Sequence, residues 1–262
     1  MEPTLSDLCA MARGAGEILR AGFNHSNRVA LKGAIDLITE VDEQSEEYLL
    51  AEIRQRFPEH NIVAEESGGV DHYSEYTWYI DPVDGTTNFA HGLPIFSVSI
   101  GVAFRGEIQL GVVYNPISDE LFSAEREVGA WLNDQPVHAG DRAKLEHALV
   151  VTGLPYDRFT NPDNNLENIK RFALQVRGIR RLGSAALDLC FVAAGRVDGY
   201  WEIRLEPWDL AAGMLIAEEA GALVTKRNGD RNLLDKPCSV VAANPGLHPL
   251  MLAVLAEDPH NP

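Results

Sequence analysis

The stretch Trp78-Tyr79-Ile80-Asp81-Pro82-Val83-Asp84-Gly85-Thr86-Thr87-Asn88-Phe89 constrains this chain more than any other. Trp78, Tyr79 and Ile80 are aromatic or β-branched and suit a strand. Pro82 has no N–H to give to a ladder and is expected to end that strand. Gly85, Thr86 and Thr87 free the backbone to turn, and the Thr hydroxyls suit the cap of a following helix. Asp81 and Asp84 flank the strand's end. Carboxylates crowded together oppose each other's ionisation, and a divalent, oxygen-preferring cation between them removes the conflict. Backbone N–H groups around 85–87 are then free to hold an anion beside it. Metal plus anion cradle is the layout of a phosphate-handling site. The same residues also make good turn chemistry, so the rest of the chain has to decide.

The net charge of −17 argues against a nucleic-acid partner, which wants a basic face. It also fits poorly with direct capture of an anionic substrate, unless bound cations invert the local field. With 262 residues, 45% of them apolar, the chain can bury a large core as one domain or two packed halves. It has no long uncharged apolar run, so no membrane-spanning helix is expected. Met1-Glu2-Pro3-Thr4 lacks a basic n-region, so no signal peptide is expected. Cys9, Cys190 and Cys238 lie far apart among apolar neighbours and read as buried free thiols of a cytoplasmic protein.

Along the chain, Ser6 is expected to cap a first helix reaching residue 23, and 24–32 reads as a polar connection. Thr39 and Asp42 resemble a capping box opening a helix to residue 57, stopped by Pro58. Asp42 then sits in the first turn, where a carboxylate also complements the helix dipole. Residues 62–64 read as a short strand ending in Glu65-Glu66. If it lies beside the Asp81 strand, Glu65 or Glu66 joins Asp81 and Asp84. The alternating runs 95–104 and 108–114 form a hairpin signature, and 120–124 and 129–132 add strands. This half, 1–145, reads as α+β with an antiparallel sheet. In the other half, 146–262, strands alternate with helices, including a helix at 162–177 capped by Asn161, which is α/β character. Two stretches there carry chemistry or packing. Gly183-Ser184-Ala185-Ala186 at a helix start either exposes N–H donors or permits close packing. Asp209, in Glu206-Pro207-Trp208-Asp209, is either a helix cap or a third carboxylate for a metal cluster.

These segments, in this order and spacing, resemble the inositol monophosphatase family, within the lithium-sensitive, metal-dependent phosphatases. The match covers 36–42, 64–68, 78–91, 180–189 and 195–221. One departure is Ala64, where relatives often carry Gly. The resemblance implies a layered α-β-α-β-α architecture and two to three Mg²⁺ ions per site. It implies that Glu65, Asp81 and the Val83 carbonyl hold one ion, and that Asp81, Asp84 and Asp209 hold a second. A third, weaker ion would lean on Glu65. It further implies that Thr86 and Asp42, assisted by Glu65, orient and deprotonate the attacking water. The N–H groups of Gly85 and Thr86 would bind phosphate, and Asp84, Ser184, Ala185 and Glu202 would contact the alcohol. A homodimer is the family's habit.

Elementary chemistry agrees. Phosphate monoesters hydrolyse very slowly unaided, and paired hard cations serve both oxygens of an in-line displacement. No paired-histidine zinc spacing, Walker loop or GxSxG elbow is present. The expected activity is hydrolysis of myo-inositol monophosphates, a small-molecule phosphate monoester class. The alternatives are fructose-1,6-bisphosphate or 3′-phosphoadenosine 5′-phosphate as substrate, or a regulatory protein-binding role known among bacterial relatives.

Overall fold

The computed structural model describes residues 2–23, 29–31 and 37–257. Helix α1 (Leu5–Gly22) starts earlier than the sequence suggests, because Thr4 and not Ser6 is its cap. The Asp7 N–H donates to Thr4 Oγ1 at 3.3 Å while the Thr4 N–H donates back to Asp7 at 2.9 Å, so two free helix-end donors are satisfied at once. Helix α2 (Glu40–Arg56) opens with the expected Thr39–Asp42 box and stops before Pro58. Where the sequence suggests only a polar connection, β1 (Val29–Leu31) pairs antiparallel with β2 (Leu37–Thr39). The rest of that connection, and Asp36, lie outside the described residues.

A seven-stranded sheet follows in chain order: β3 (Asn61–Ala64), β4 (Tyr76–Asp84), β5 (Ser97–Phe104), β6 (Glu107–Asn115), β7 (Glu120–Glu125), β8 (Gly129–Leu132) and β9 (Gln135–Pro136). Strands β3 and β4 are parallel and every later pair is antiparallel. Pro82 does not end β4. The register against β5 passes from Asp81↔Ser99 to Asp84↔Ser97, three steps against two. That extra residue is a bulge, and a residue in a bulge needs no ladder N–H, which is why proline is tolerated there.

The second sheet contains β10 (Leu149–Thr152), β11 (Gly178–Arg180), β12 (Gly199–Leu205), β13 (Leu223–Thr225) and β14 (Cys238–Ala243), ordered β11-β10-β12-β14-β13. Its helices are α4 (Leu166–Ala173), α5 (Ala185–Ala193), α6 (Pro207–Glu219) and α7 (His248–Ala256). Helix α4 is about half of what the sequence suggests for 162–177. Asn161 does not cap it; its side chain accepts the Asp163 N–H at 3.0 Å and folds 161–163 into a turn.

The layers are α-β-α-β-α. Helices α1 and α2 cover one face of the seven-stranded sheet around Leu8, Leu49, Ile53 and Trp78. Helices α5 and α6 fill the space between the sheets, and α4 and α7 close the outer face of the second. Helix α6 is buried on nearly every side from Leu210 to Ala217, the pattern of a helix packed between two layers. Gly101 of β5 lets it approach, since a Cβ there would lie 2.8 Å from Ala211 Cβ. In this way the start of α6 is brought against the ends of β4 and β5.

Candidate active site

A cavity of about 770 Å³ opens where the two sheets' loops meet. It is lined by Glu65, Asp81, Val83, Asp84, Gly85 and Thr86 from the first sheet, and by Ser184, Ala185, Glu202 and Asp209 from the second half. Among the residues given a role by the resemblance, only Asp42 is not in its wall, and it touches Thr86 from behind.

Parallel pairing of Ala64 with Ile80 carries Glu65 beside Asp81, with the Glu65 N–H donating to the Ile80 carbonyl at 3.3 Å. Glu66 is excluded: its N–H and that of Ser67 each donate to buried Glu46 at 2.8 Å, and Glu66 lines a separate groove on α2. Asp209 takes the capping role and also reaches the cavity wall. It accepts the Glu206 N–H at 2.8 Å in a capping box at the start of α6, and it lines the cavity.

Neither threonine after Gly85 caps the short helix α3 (Thr86–Ala90), whose N-cap is Gly85 itself without a side-chain bond. Thr86 Oγ1 instead lies 2.9 Å from Asp42 Oδ1 and 3.0 Å from the Val83 carbonyl, one proton serving either acceptor. The other Asp42 oxygen accepts the Thr39 N–H at 3.0 Å and the Thr39 hydroxyl. Gly85 has φ +105°, and a Cβ there would lie 3.0 Å from the Ile95 carbonyl and 3.1 Å from that of Gly183. Gly85→Ala is therefore expected to cost about 1–3 kcal/mol. At about 2–4 °C per kcal/mol for a chain this size, a thermal melt reads it directly. An unchanged melting temperature would contradict the tight turn.

The acidic groups carry unrelieved electrostatic stress. Burial pushes the Asp81 carboxyl well above the usual range, with Glu65, Asp84 and Asp209 adding to it. Burial does the same to Asp209, against the relief of its Glu206 N–H bond. Asp84 is raised by burial but held down by three donors at the start of α5. Ser184 Oγ lies 2.6 Å from its Oδ2, the Ala186 N–H 2.8 Å from the same oxygen, and the Ala185 N–H 3.0 Å from Oδ1. Burial raises Glu202 to about 7, opposed by the Tyr200 hydroxyl at 2.7 Å.

Among the described residues, no three acidic, His or Cys side chains are drawn to metal-holding spacing. Asp84, for one, places both oxygens on the start of α5. The donor set nonetheless fits a hard cation. Asp81, Asp84, Asp209, Glu65 and the Val83 carbonyl are all oxygen donors around one cavity, the ligand type that Mg²⁺ takes. Burial raises the proton affinities of Asp81, Asp84 and Asp209, an effect that a nearby cation would oppose.

Four wall or near-wall residues escape the sequence reading. Asp188 is buried one turn after Ser184 on α5, and its Oδ1 has no hydrogen-bond partner among the described residues. Burial, then Glu202 and Asp84, push it well above the usual range. An acid inside an otherwise apolar helical run was the available signal. Asp157, Arg204 and Lys236 also line the cavity, and nothing local distinguishes them from ordinary loop charges.

A sequence model of the inositol monophosphatase family matches residues 1–260. The chain is 41% identical over 243 residues to an inositol-1-monophosphatase of Mesorhizobium japonicum, covering 92% of this chain and 91% of that one. It is 42% identical over 246 residues to a protein named Nus factor SuhB from Pasteurella multocida, covering 93% and 92%. Among solved structures, inositol monophosphatase from Anabaena superposes with a TM-score of 0.88 at 40% identity, covering 97% of this chain and 96% of that one. Extragenic suppressor protein suhB from Bartonella henselae superposes with a TM-score of 0.90 at 37% identity, covering 96% and 98%. Layered fold, acidic cavity and relatives agree, and the chain belongs to the inositol monophosphatase family.

Proposed function

We propose that this protein is a Mg²⁺-dependent phosphomonoesterase that releases phosphate from myo-inositol monophosphates. The observation that carries the reading is the Asp42–Thr86 pair set directly behind a cavity ringed by carboxylates. Glu65, Asp81 and the Val83 carbonyl would hold one ion, Asp81, Asp84 and Asp209 would hold a second, and a third would lean on Glu65. Bound there, Mg²⁺ supplies charge neutralisation to the attacking and leaving oxygens of an in-line displacement.

The chain's own residues do the rest. Thr86 Oγ1 gives its proton to Asp42 Oδ1 and so presents a lone pair to the attacking water, whose proton it takes as the bond to phosphorus forms. The Thr39 donors hold Asp42 in place from its far side. Glu65 orients the same water. The N–H groups of Gly85 and Thr86, at the uncapped start of α3, receive the phosphate oxygens. Ser184, Ala185 and Glu202 face the departing alcohol, and Asp84 is shared between alcohol and ion.

The test is phosphate release by the purified protein from myo-inositol 1-phosphate, fructose 1,6-bisphosphate and 3′-phosphoadenosine 5′-phosphate, with and without Mg²⁺. Highest kcat/KM on the inositol ester, abolished by chelation and inhibited by lithium, is the expected result. A much higher value on either other substrate overturns the substrate assignment. Relatives named Nus factor SuhB favour a second, regulatory binding role. Asp84→Asn separates the two, since it should silence hydrolysis and spare a protein contact made elsewhere.

A further inference from the structure

Arg204 occupies a position that an arginine does not favour. Strand β12 pairs with β14 through Ile203↔Ser239 and then Leu205↔Cys238, so Arg204 is the extra residue of a bulge. Its φ is +59°, in the left-handed region where a Cβ is strained and glycine is at ease. Bulges re-aim side chains, and this one sets Arg204 in the cavity wall. There its Nη1 lies 3.1 Å from Asp157 Oδ2, with the two side chains 39% and 41% exposed. An ion pair that open to water contributes little, less than the backbone strain beneath it.

Asp157 is itself incompletely matched. Asn161 Nδ2 also donates to Oδ2, at 2.9 Å, while Oδ1 is covered and accepts nothing among the described residues. Folding alone does not account for a strained arginine held in the cavity wall by so open an ion pair. Strained residues of this kind gather at ligand clamps.

We propose that Arg204 and Asp157 form a clamp that reads hydroxyl groups on the leaving alcohol, at the end of the cavity away from phosphorus. The inference rests on the phosphomonoesterase reading and names a specificity element within it. A guanidinium donor beside a carboxylate acceptor suits a hydroxyl, which both accepts and donates. It does not suit a second phosphate, which Asp157 repels. Of the two other cations in the wall, Arg181 and Lys236, Lys236 is likewise matched by Glu206 at 2.5 Å. The ligand class is a neutral polyol carrying one phosphate.

The experiment compares kcat/KM for myo-inositol 1-phosphate, p-nitrophenyl phosphate and fructose 1,6-bisphosphate in the full-length protein with Mg²⁺. The aryl ester carries no hydroxyl on its leaving group. In Arg204→Gly the ratio of inositol ester to aryl ester should fall by about tenfold or more, the loss of a well-made polar contact. Its melting temperature should hold or rise, because glycine relieves the bulge. Asp157→Asn should lower the same ratio while preserving shape. A ratio unchanged within about twofold in both variants overturns the clamp and leaves the phosphatase reading standing. A fall confined to fructose 1,6-bisphosphate assigns Arg204 to a second phosphate and also overturns it. If the wild type cleaves none of the three with Mg²⁺, the phosphatase reading fails and the clamp falls with it.

Discussion

Asp81→Asn should lower kcat by at least about 10³-fold, roughly 4 kcal/mol in barrier, because one charge common to both proposed ion sites is lost. The same variant should melt higher than wild type in metal-free buffer at neutral pH. The sign follows from linkage. The Asp81 carboxyl lies above its ordinary value of 3.8 in the folded protein, chiefly through burial and then through Glu65, Asp84 and Asp209. A group with a raised folded value stabilises the fold while protonated, below its ordinary value, and that stability is lost as pH rises through the folded value. Metal-free wild-type protein should therefore lose melting temperature as pH rises above the ordinary carboxyl value of 3.8, and the Asp81→Asn variant should show a flatter slope. Mg²⁺ should raise the wild-type melting temperature by mass action and leave the variant nearly unmoved. Melts across pH with chelator and with Mg²⁺ read all of this without an activity assay. Near-normal turnover in the variant, or an equal Mg²⁺ response, would sink the shared-ligand assignment.

Thr86→Val has the second largest expected effect. Valine keeps the shape of threonine and removes the hydroxyl that joins the cavity wall to Asp42. If Thr86 relays the water's proton, kcat should fall by about 10²–10⁴-fold, the usual worth of positioned acid–base catalysis. KM should move little if the phosphate is met, as proposed, by backbone N–H groups that valine retains. Thr86→Ser should recover most of the rate. Steady-state kinetics on one substrate suffice, and a valine variant keeping more than about a tenth of the rate would remove Thr86 from the proton path.

How much was legible in the residues depends on the distance over which each feature is decided. The capping box of Thr39 and Asp42 and the hairpin of β5 and β6 involve near neighbours, and the sequence reads them correctly. Errors arose where local signals compete. Pro82 looks like a strand end, yet the bulge absorbs it. Thr86 looks like a cap, yet a partner 44 residues away takes its hydroxyl. Asn161 looks like a helix start, yet its side chain closes a turn first.

The sequence by itself determined the family and the layered class, because those rest on side-chain identity and short-range spacing. Tertiary structure alone decided which member of Glu65-Glu66 enters the cavity, since that depends on the parallel register of β3 on β4. It alone turned Asp84 onto the start of α5, about a hundred residues along the chain, and aimed Arg204 at Asp157 across a bulge. Such choices come from sheet register and close packing between distant segments, where a shift of one residue exchanges an inward side chain for an outward one.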